Sequence, residues 1–331
     1  MRICIFGAGA IGSFLAAKLA ASGADVRLLA RGEALTAIRA NGLRLEEKSG
    51  ATVVRLPVSD AAADFGPQDI VVVATKAHGL AGAALAAGPL LGPETQVVFA
   101  QNGVPWWYAY GFTAPGLAAG PLDRIDPDHG IWNGFGPERA VGCTIFSPNS
   151  VPAPGVVRNV AVNPATYTLG QPDGAASPTV RAFAAALEKA GAKAPIADNI
   201  RLEVWKKLMF NVATASTCVL TGSTIKRNMS DPGVREIAKA LTRETVAVAA
   251  AHGFDVAVDV EGQTDPATRP DHKSSMLQDF EAGRRMEIDP IFSCVADFAA
   301  AAGVKTPILD IILPLLRTKA RTAGLYGEKA A

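Results

Sequence analysis

Apolar positions along this chain follow two different rhythms. Up to about residue 198, short apolar runs of strand length alternate with segments of helical spacing. The runs at 2–6, 25–31, 68–76 and 95–100 read as strands, and 68–76 is nearly continuous in apolar residues, as a strand buried on both faces would be. Helices are expected at 13–20 and at the alanine-rich 81–91. Strand-like pieces return at 141–146, 155–162 and 165–169, followed by an amphipathic helix at 177–190 and a last strand at 192–196. From Asn199 the pattern is helical throughout, with segments at 200–220, 232–252, 271–282, 290–302 and 308–319. The alternation predicts an α/β fold with a doubly wound sheet over residues 1–198, and the second rhythm an all-helical domain over 199–331.

The first strand leads directly into Gly7-Ala8-Gly9-Ala10-Ile11-Gly12 and then into a helix. Strand, glycine turn and helix in this order form a dinucleotide-binding fingerprint, so the first domain is expected to be Rossmann-type. Gly7 permits the tight turn, Gly9 lets the backbone approach a pyrophosphate, and Gly12 lets helix and strand pack closely. The free N–H groups and dipole of the helix start favour phosphate. An NAD site usually carries an Asp or Glu at the tip of the second strand, about 20 residues past the glycines. Here the tip is Arg31. A guanidinium suits a 2′-phosphate, which favours NADP.

Residues 104–140 break the rhythm and are rich in Gly, Pro and aromatics, among them Trp106, Trp107, Tyr108, Trp132 and Phe135. A long segment of this kind is more often a functional loop than a plain connector. The chain has 331 residues, is 49% hydrophobic and 19% charged, and carries a net charge of +1, so neither nucleic acid nor a membrane surface is implied as a partner. Cys4, Cys143, Cys218 and Cys294 are scattered, which argues against a disulfide framework and fits a reducing cytoplasm. The four histidines show no ligand spacing, and no metal is expected. Neither a signal-peptide layout nor an apolar run of membrane-span length is present.

Chemistry enters with the helical half. Lys207 and Asn211 are one helical turn apart and share a face of an apolar segment, an arrangement suited to binding and protonating a carbonyl oxygen. The spacing equally allows a Glu203–Lys207 surface pair, worth only a few tenths of a kcal/mol. Ser274 and Ser275 stand near the start of the 271–282 helix, where they could cradle a carboxylate or simply cap the helix. Asp289 and Pro290 read as the cap and first-turn residue of the next helix. Glu287 has no such structural role, though a solvated pair with Arg284 or Arg285 would also account for it. Lys76 and Asn102-Gly103 follow parallel strands, whose carboxyl ends line the ligand crevice of such sheets.

Taken together, these residues resemble the ketopantoate reductase family (2-dehydropantoate 2-reductase) over most of the chain. The resemblance is carried by Gly7 to Gly12, Arg31, Thr75-Lys76-Ala77, Asn102-Gly103, the block from Asn199 to Leu208 with Asn211, and the block from Ser274 to Asp279 through Glu287-Ile288-Asp289. It implies that NADPH is held by the glycine turn with Arg31, Lys76 and Asn102, and that Lys207 is the proton donor. Asn211 and Ser275 would bind substrate, with Ser274 and His272 on the same side, and Glu287 would contact the substrate hydroxyl and the cofactor side. Two positions depart from the family: Ala215 stands one turn after Asn211 where members have a second Asn, and His272 stands where an Asn often precedes the serine pair. The 104–140 segment is also much longer than the short helical connection of compact members.

The expected activity is NADPH-dependent reduction of a 2-oxo acid to a 2-hydroxy acid, with 2-dehydropantoate to pantoate first. Desolvation would lower the Lys207 pKa toward neutrality, with help from Lys206 if its charge lies close. A small-molecule acid is the expected partner, and a homodimer is compatible with the sequence. The alternatives are a reductase of a related 2-oxo acid, a 3-hydroxy-acid dehydrogenase of the hydroxyisobutyrate or 6-phosphogluconate type, and a non-catalytic NADP-binding regulator. The Ser274-to-Glu287 block argues against the dehydrogenase, and retention of Lys207, Asn211 and Glu287 argues against the regulator.

Overall fold

The structure, a computed structural model, describes residues 1–327 apart from Val160, Val162 and Pro270. It divides into two compact units. The first comprises residues 1–101, 105–111 and 120–200, and the second residues 102–104, 112–119 and 201–331. Among the described residues no helix is long and apolar enough to cross a membrane.

In the first unit, β1 (Arg2–Phe6), β2 (Asp25–Leu29), a short pair β3 (Leu43–Glu47) and β4 (Gly50–Val54), β5 (Val58–Ser59), β6 (Gln68–Val73), β7 (Leu91–Phe99), β8 (Ala140–Phe146), β9 (Asn149–Ala153), β10 (Val156–Asn159) and β11 (Thr166–Gly170) succeed one another. Seven of them form one sheet in the order β11-β8-β7-β6-β1-β2-β5. Every pairing in it is parallel except that of β11 with β8. This is the doubly wound order, and the strand sequence reverses between β1 and β6, where such sheets open a ligand crevice. The period-two rule separates the two faces. Ile3, Ile5, Ile70, Val72 and Val98 enter one core, and Cys4, Phe6, Val71, Val73, Val97 and Phe99 the other.

The helices of this unit are α1 (Ala10–Ala21), α2 (Gly32–Asn41), α3 (Leu80–Ala87), α4 (Gly130–Phe135) and α5 (Pro178–Lys189). Helix α1 is buried almost all round, because it lies between the main sheet and a second sheet of order β4-β3-β10-β9. Sequence reasoning missed three strands of that sheet. Leu43-Arg44-Leu45-Glu46 alternates with a strand period, but β4 and β9 are exposed edges with little apolar signal, and β9 contains Pro152. The strand expected over 155–162 is described only as β10, since Val160 and Val162 lie outside the described residues. The last strand expected at 192–196 forms only isolated bridges to β11, at Lys193 and Ile196. Tyr167 and Leu169 donate to the Lys193 and Pro195 carbonyls, and Pro195 has no N–H to return a ladder bond.

The aromatic segment has a different job from the one its composition suggests. Trp106, Trp107, Tyr108 and Phe135 are fully buried, and Trp106 and Phe135 pack edge-on against Phe99 at 5.0 and 5.1 Å. Trp106, Trp107 and Phe135 share one core with Val97 and Phe99 of β7, so this part of the 104–140 segment, expected to be a functional loop, builds core instead. Residues 112–119 belong to the second unit, where Phe112 packs on Phe254 at 5.3 Å beneath the Arg201 guanidinium.

The helices α6 (Ile200–Thr221), α7 (Ile225–Ser230), α8 (Pro232–Ala251), α9 (Val260–Thr264), α10 (Ser275–Glu281), α11 (Cys294–Ala301) and α12 (Pro307–Thr322) follow. Asp231 caps α8 by accepting the Val234 N–H at 2.9 Å, with Pro232 in the first turn. Helix α10 starts four residues later than expected, because Ser274 is its cap, and just before it the His272 carbonyl accepts the Ile225 N–H. The helix expected at 290–302 begins as a π-helical turn, Asp289–Ser293. Asp289 is therefore not a cap. Its carboxylate accepts the Ser293 and Tyr326 hydroxyls instead.

Candidate active site

The glycine turn of the first unit is shaped by missing side chains. Gly7 leaves β1 at φ +111, a conformation L residues rarely adopt. A Cβ on Gly12 would lie 1.9 Å from the Gly7 carbonyl oxygen, so only glycine lets α1 start against the turn. Gly9 faces open space, with the Ala74 carbonyl 4.0 Å from where a Cβ would stand. Gln101 pins the end of β6 by donating to the Val73 and Thr75 carbonyls at 2.7 and 3.0 Å.

A cavity of about 350 Å³ opens beside this turn, walled by Gly7, Ala8, Arg31, Asp60, Thr75 and His78 among others. Arg31 is exposed at the start of α2, free to present its guanidinium. The Thr75 hydroxyl is buried without a hydrogen-bond partner among the described residues. An orphaned hydroxyl, a glycine cradle and a guanidinium at one cavity fit a dinucleotide with a charged ribose. Gly9 to Gly12 form the helix start beside the cavity. Lys76 stands between the lining residues Thr75 and His78 without forming a wall itself. Sequence reasoning missed Asp60, Thr75 and His78 as lining residues. Asp60 follows β5, and only the pairing of β5 with β2 brings it near Arg31.

The second unit carries the titratable groups. Glu203 pairs with Lys206 at 2.7 Å. Lys207 is half-buried, with its ammonium 5.9 Å from the Phe210 ring centroid. Burial pushes its pKa down to about 8, without a contribution from Lys206. Asn211, one turn on, is half-buried, and Ala215 after it is buried. The His272 imidazole shares this neighbourhood: burial lowers its pKa, Asp271 raises it, and the Lys207 charge lowers it further.

Ser274 accepts the Leu277 N–H at 3.3 Å as the cap of α10, and its backbone and hydroxyl meet the Cys218 thiol near the far end of α6. Ser275 beside it is exposed. Glu287 is only 6% exposed, between buried Met286 and Ile288. Glu287 is therefore not the solvated glutamate that the sequence allowed, and Arg284 is bound to Asp279 at 2.9 Å. Asn102 is half-buried, and the next two residues dock on the turn after Glu287, Val104 donating to the Pro290 carbonyl at 2.7 Å. The second unit therefore brings Lys207 near His272, Ser274 against Cys218, and the Asn102 loop onto the segment of Glu287.

Comparison with known proteins bears on both units. Residues 3–105 match the family model "Ketopantoate reductase PanE/ApbA" and residues 199–320 match "Ketopantoate reductase PanE/ApbA C terminal". The chain is 42% identical over 331 residues to a 2-dehydropantoate 2-reductase of Mesorhizobium japonicum, covering 98% of this chain and 100% of that one. The crystal structure of a candidate ketopantoate reductase from Ralstonia solanacearum MolK2 superposes with a TM-score of 0.90 at 36% identity, covering 98% of this chain and 99% of that one. A PanE/ApbA family ketopantoate reductase from Ralstonia eutropha JMP134 gives a TM-score of 0.82 at 25% identity, with 98% and 100% covered. This chain belongs to the ketopantoate reductase family.

Proposed function

We propose that this protein reduces a 2-oxo acid to a 2-hydroxy acid with NADPH, and that 2-dehydropantoate, reduced to pantoate, is its substrate. The observation that carries the reading is Lys207, on the apolar face of α6 one turn before Asn211, an ammonium whose pKa burial brings down to about 8. Residues 1–198 serve as the NADP-binding domain and 199–331 as the helical catalytic domain.

Bound NADPH supplies the hydride for the C2 carbonyl carbon. Gly7 to Gly12 would hold the pyrophosphate at the start of α1, Arg31 would pair with the 2′-phosphate, and Lys76 and Asn102 would complete the cofactor contacts. The Lys207 ammonium points its proton at the C2 oxygen and gives it up as that oxygen becomes an alkoxide. A donor of pKa near 8 is still protonated at neutral pH yet acidic enough to transfer, which is the balance general acid catalysis requires. Asn211 donates its amide to the substrate, Ser275 and Ser274 bind on the same side with His272, and Glu287 accepts from the substrate hydroxyl. Four buried cysteines outside any disulfide agree with a reducing cytoplasm, and a homodimer belongs to the same reading.

The test is an NADPH-consumption screen over 2-oxo acids, with ketopantoate included and 3-hydroxy acids with NADP as the opposing arm. Ketopantoate is expected to show the highest kcat/KM. Faster oxidation of a 3-hydroxy acid would overturn the reaction class, and tight NADPH binding without turnover of any acid would make the protein a regulator.

A further inference from the structure

The segment after Glu287 is wound as a π-helical turn, Asp289–Ser293, before it continues as α11. Such turns are rare and gather at functional sites, because the extra residue costs stability that packing alone does not repay. Here three side chains close on it. The Tyr326 hydroxyl donates to Asp289 Oδ1 at 2.7 Å, and the Ser293 hydroxyl donates to the same oxygen at 2.7 Å. Arg317 Nη2 donates to Ser293 Oγ at 2.7 Å. Next to Tyr326, the Leu325 carbonyl accepts the Met286 N–H at 2.9 Å. Glu287 thus sits between two anchors, one on each side in the chain, both supplied by the segment after α12.

The same turn holds a second segment. Pro290 accepts the Val104 N–H at 2.7 Å, and Gly103, at φ +93, comes so close that a Cβ would lie 2.6 Å from the Pro290 oxygen. Glu287 is three residues before Pro290 and Asn102 is two residues before Val104, so a shift of the turn would carry both.

We propose that Asp289 is a positioning residue: bound by Tyr326 and Ser293, it fixes the π-turn that sets Glu287 and the Asn102–Gly103 loop for hydride transfer. The proposal rests on the proposed function in giving Glu287 and Asn102 roles toward substrate and cofactor. Its mechanical part stands on the hydrogen bonds alone.

The experiment uses the full chain and compares Tyr326→Phe and Asp289→Asn with Arg321→Ala. Arg321 stacks over the Tyr326 ring at 5.4 Å but takes no part in the hydroxyl network. Tyr326→Phe keeps the ring packing and loses only the hydroxyl. It is expected to lower kcat about tenfold with the oxo-acid KM nearly unchanged, since small displacements of a positioned group cost on the order of 10²-fold or less. Asp289→Asn should do the same, and Arg321→Ala should stay near wild type. In parallel, amide exchange of Val104 in the cofactor-free protein should speed up in Tyr326→Phe and Asp289→Asn but not in Arg321→Ala. Unchanged Val104 exchange in Tyr326→Phe would overturn the proposal whatever the activity. So would an equal loss of kcat in Arg321→Ala, which would reduce the network to a staple for the chain end. A Glu287→Gln variant with full activity would instead refute the role of Glu287, while Val104 exchange still decides whether Asp289 holds the turn.

Discussion

The glycine turn after β1 and the π-turn before α11 both bend the chain to present a site, by opposite means. The first works through absent side chains: a methyl group on Gly12 would collide with the Gly7 carbonyl at 1.9 Å. The second works through side chains that are present and tied down, with Asp289, Ser293, Tyr326 and Arg317 gathered from three stretches of chain. The same contrast runs through the two units. One offers bare backbone N–H groups at a helix start, and the other holds a half-buried ammonium and a buried carboxylate whose properties depend on what surrounds them.

Lys207→Ala should break the second unit's contribution most completely. We expect kcat to fall about 10²–10⁴-fold, the usual worth of a positioned general acid, with the NADPH dissociation constant nearly unchanged. Equal losses in turnover and in NADPH binding would dissolve the division of labour. Next in size is Arg31→Ala. Loss of one charge-assisted contact of about 1.5–3 kcal/mol should raise the NADPH KM about 10–100-fold while leaving the NADH KM alone. A wild-type preference for NADH would mean that Asp60, across the same cavity, reads the ribose in place of Arg31.

The glycine turn can be split further. Gly12→Ala should destabilise the cofactor-free protein by about 1–3 kcal/mol in thermal or urea unfolding, the cost of overpacking. Gly9→Ala meets only the Ala74 oxygen at 4.0 Å, so it should leave the unfolding midpoint in place and weaken NADPH binding alone. If both variants unfold alike, the two glycines do not have separate roles.

The smallest effect expected belongs to His252. It is buried, with Nε2 beside the Phe298 carbonyl at 3.2 Å and Nδ1 without a partner among the described residues. Burial lowers its pKa from the ordinary 6.5, so the unfolded chain takes up a proton at higher pH than the folded one. Stability from this group is therefore complete above about pH 6.5 and is lost as pH falls toward the lowered value. A melting temperature that declines on acidification in wild type, and declines less in His252→Phe, would confirm it. Identical profiles would place the acid sensitivity elsewhere.

How much of this was legible beforehand follows from the same contrast. Gly7, Gly9 and Gly12 announce their roles locally, because the constraint lies in the backbone of neighbouring residues. Lys207 and Asn211 could be placed on one helix face by spacing, but spacing could not tell that Glu203 reaches Lys206 at 2.7 Å. Glu287 follows two arginines, and a local reading cannot know that Arg284 is drawn to Asp279. Composition alone does not separate an aromatic binding loop from a core layer, and Trp106 and Trp107 turned out to fill the core. Asp60 and Thr75 reach the cavity through strand order, which no single segment encodes.

The claim on which the rest depends is that Lys207, its pKa lowered by desolvation, delivers the proton. The direct test is the pH profile of kcat/KM for ketopantoate reduction, with pantoate oxidation by NADP as its mirror. Reduction needs the ammonium, so kcat/KM should fall as pH rises through about 8, and oxidation, which needs the free amine, should rise through the same midpoint. A reduction profile that stays flat through that range, or a midpoint that persists unchanged in the residual activity of Lys207→Ala, would contradict the account.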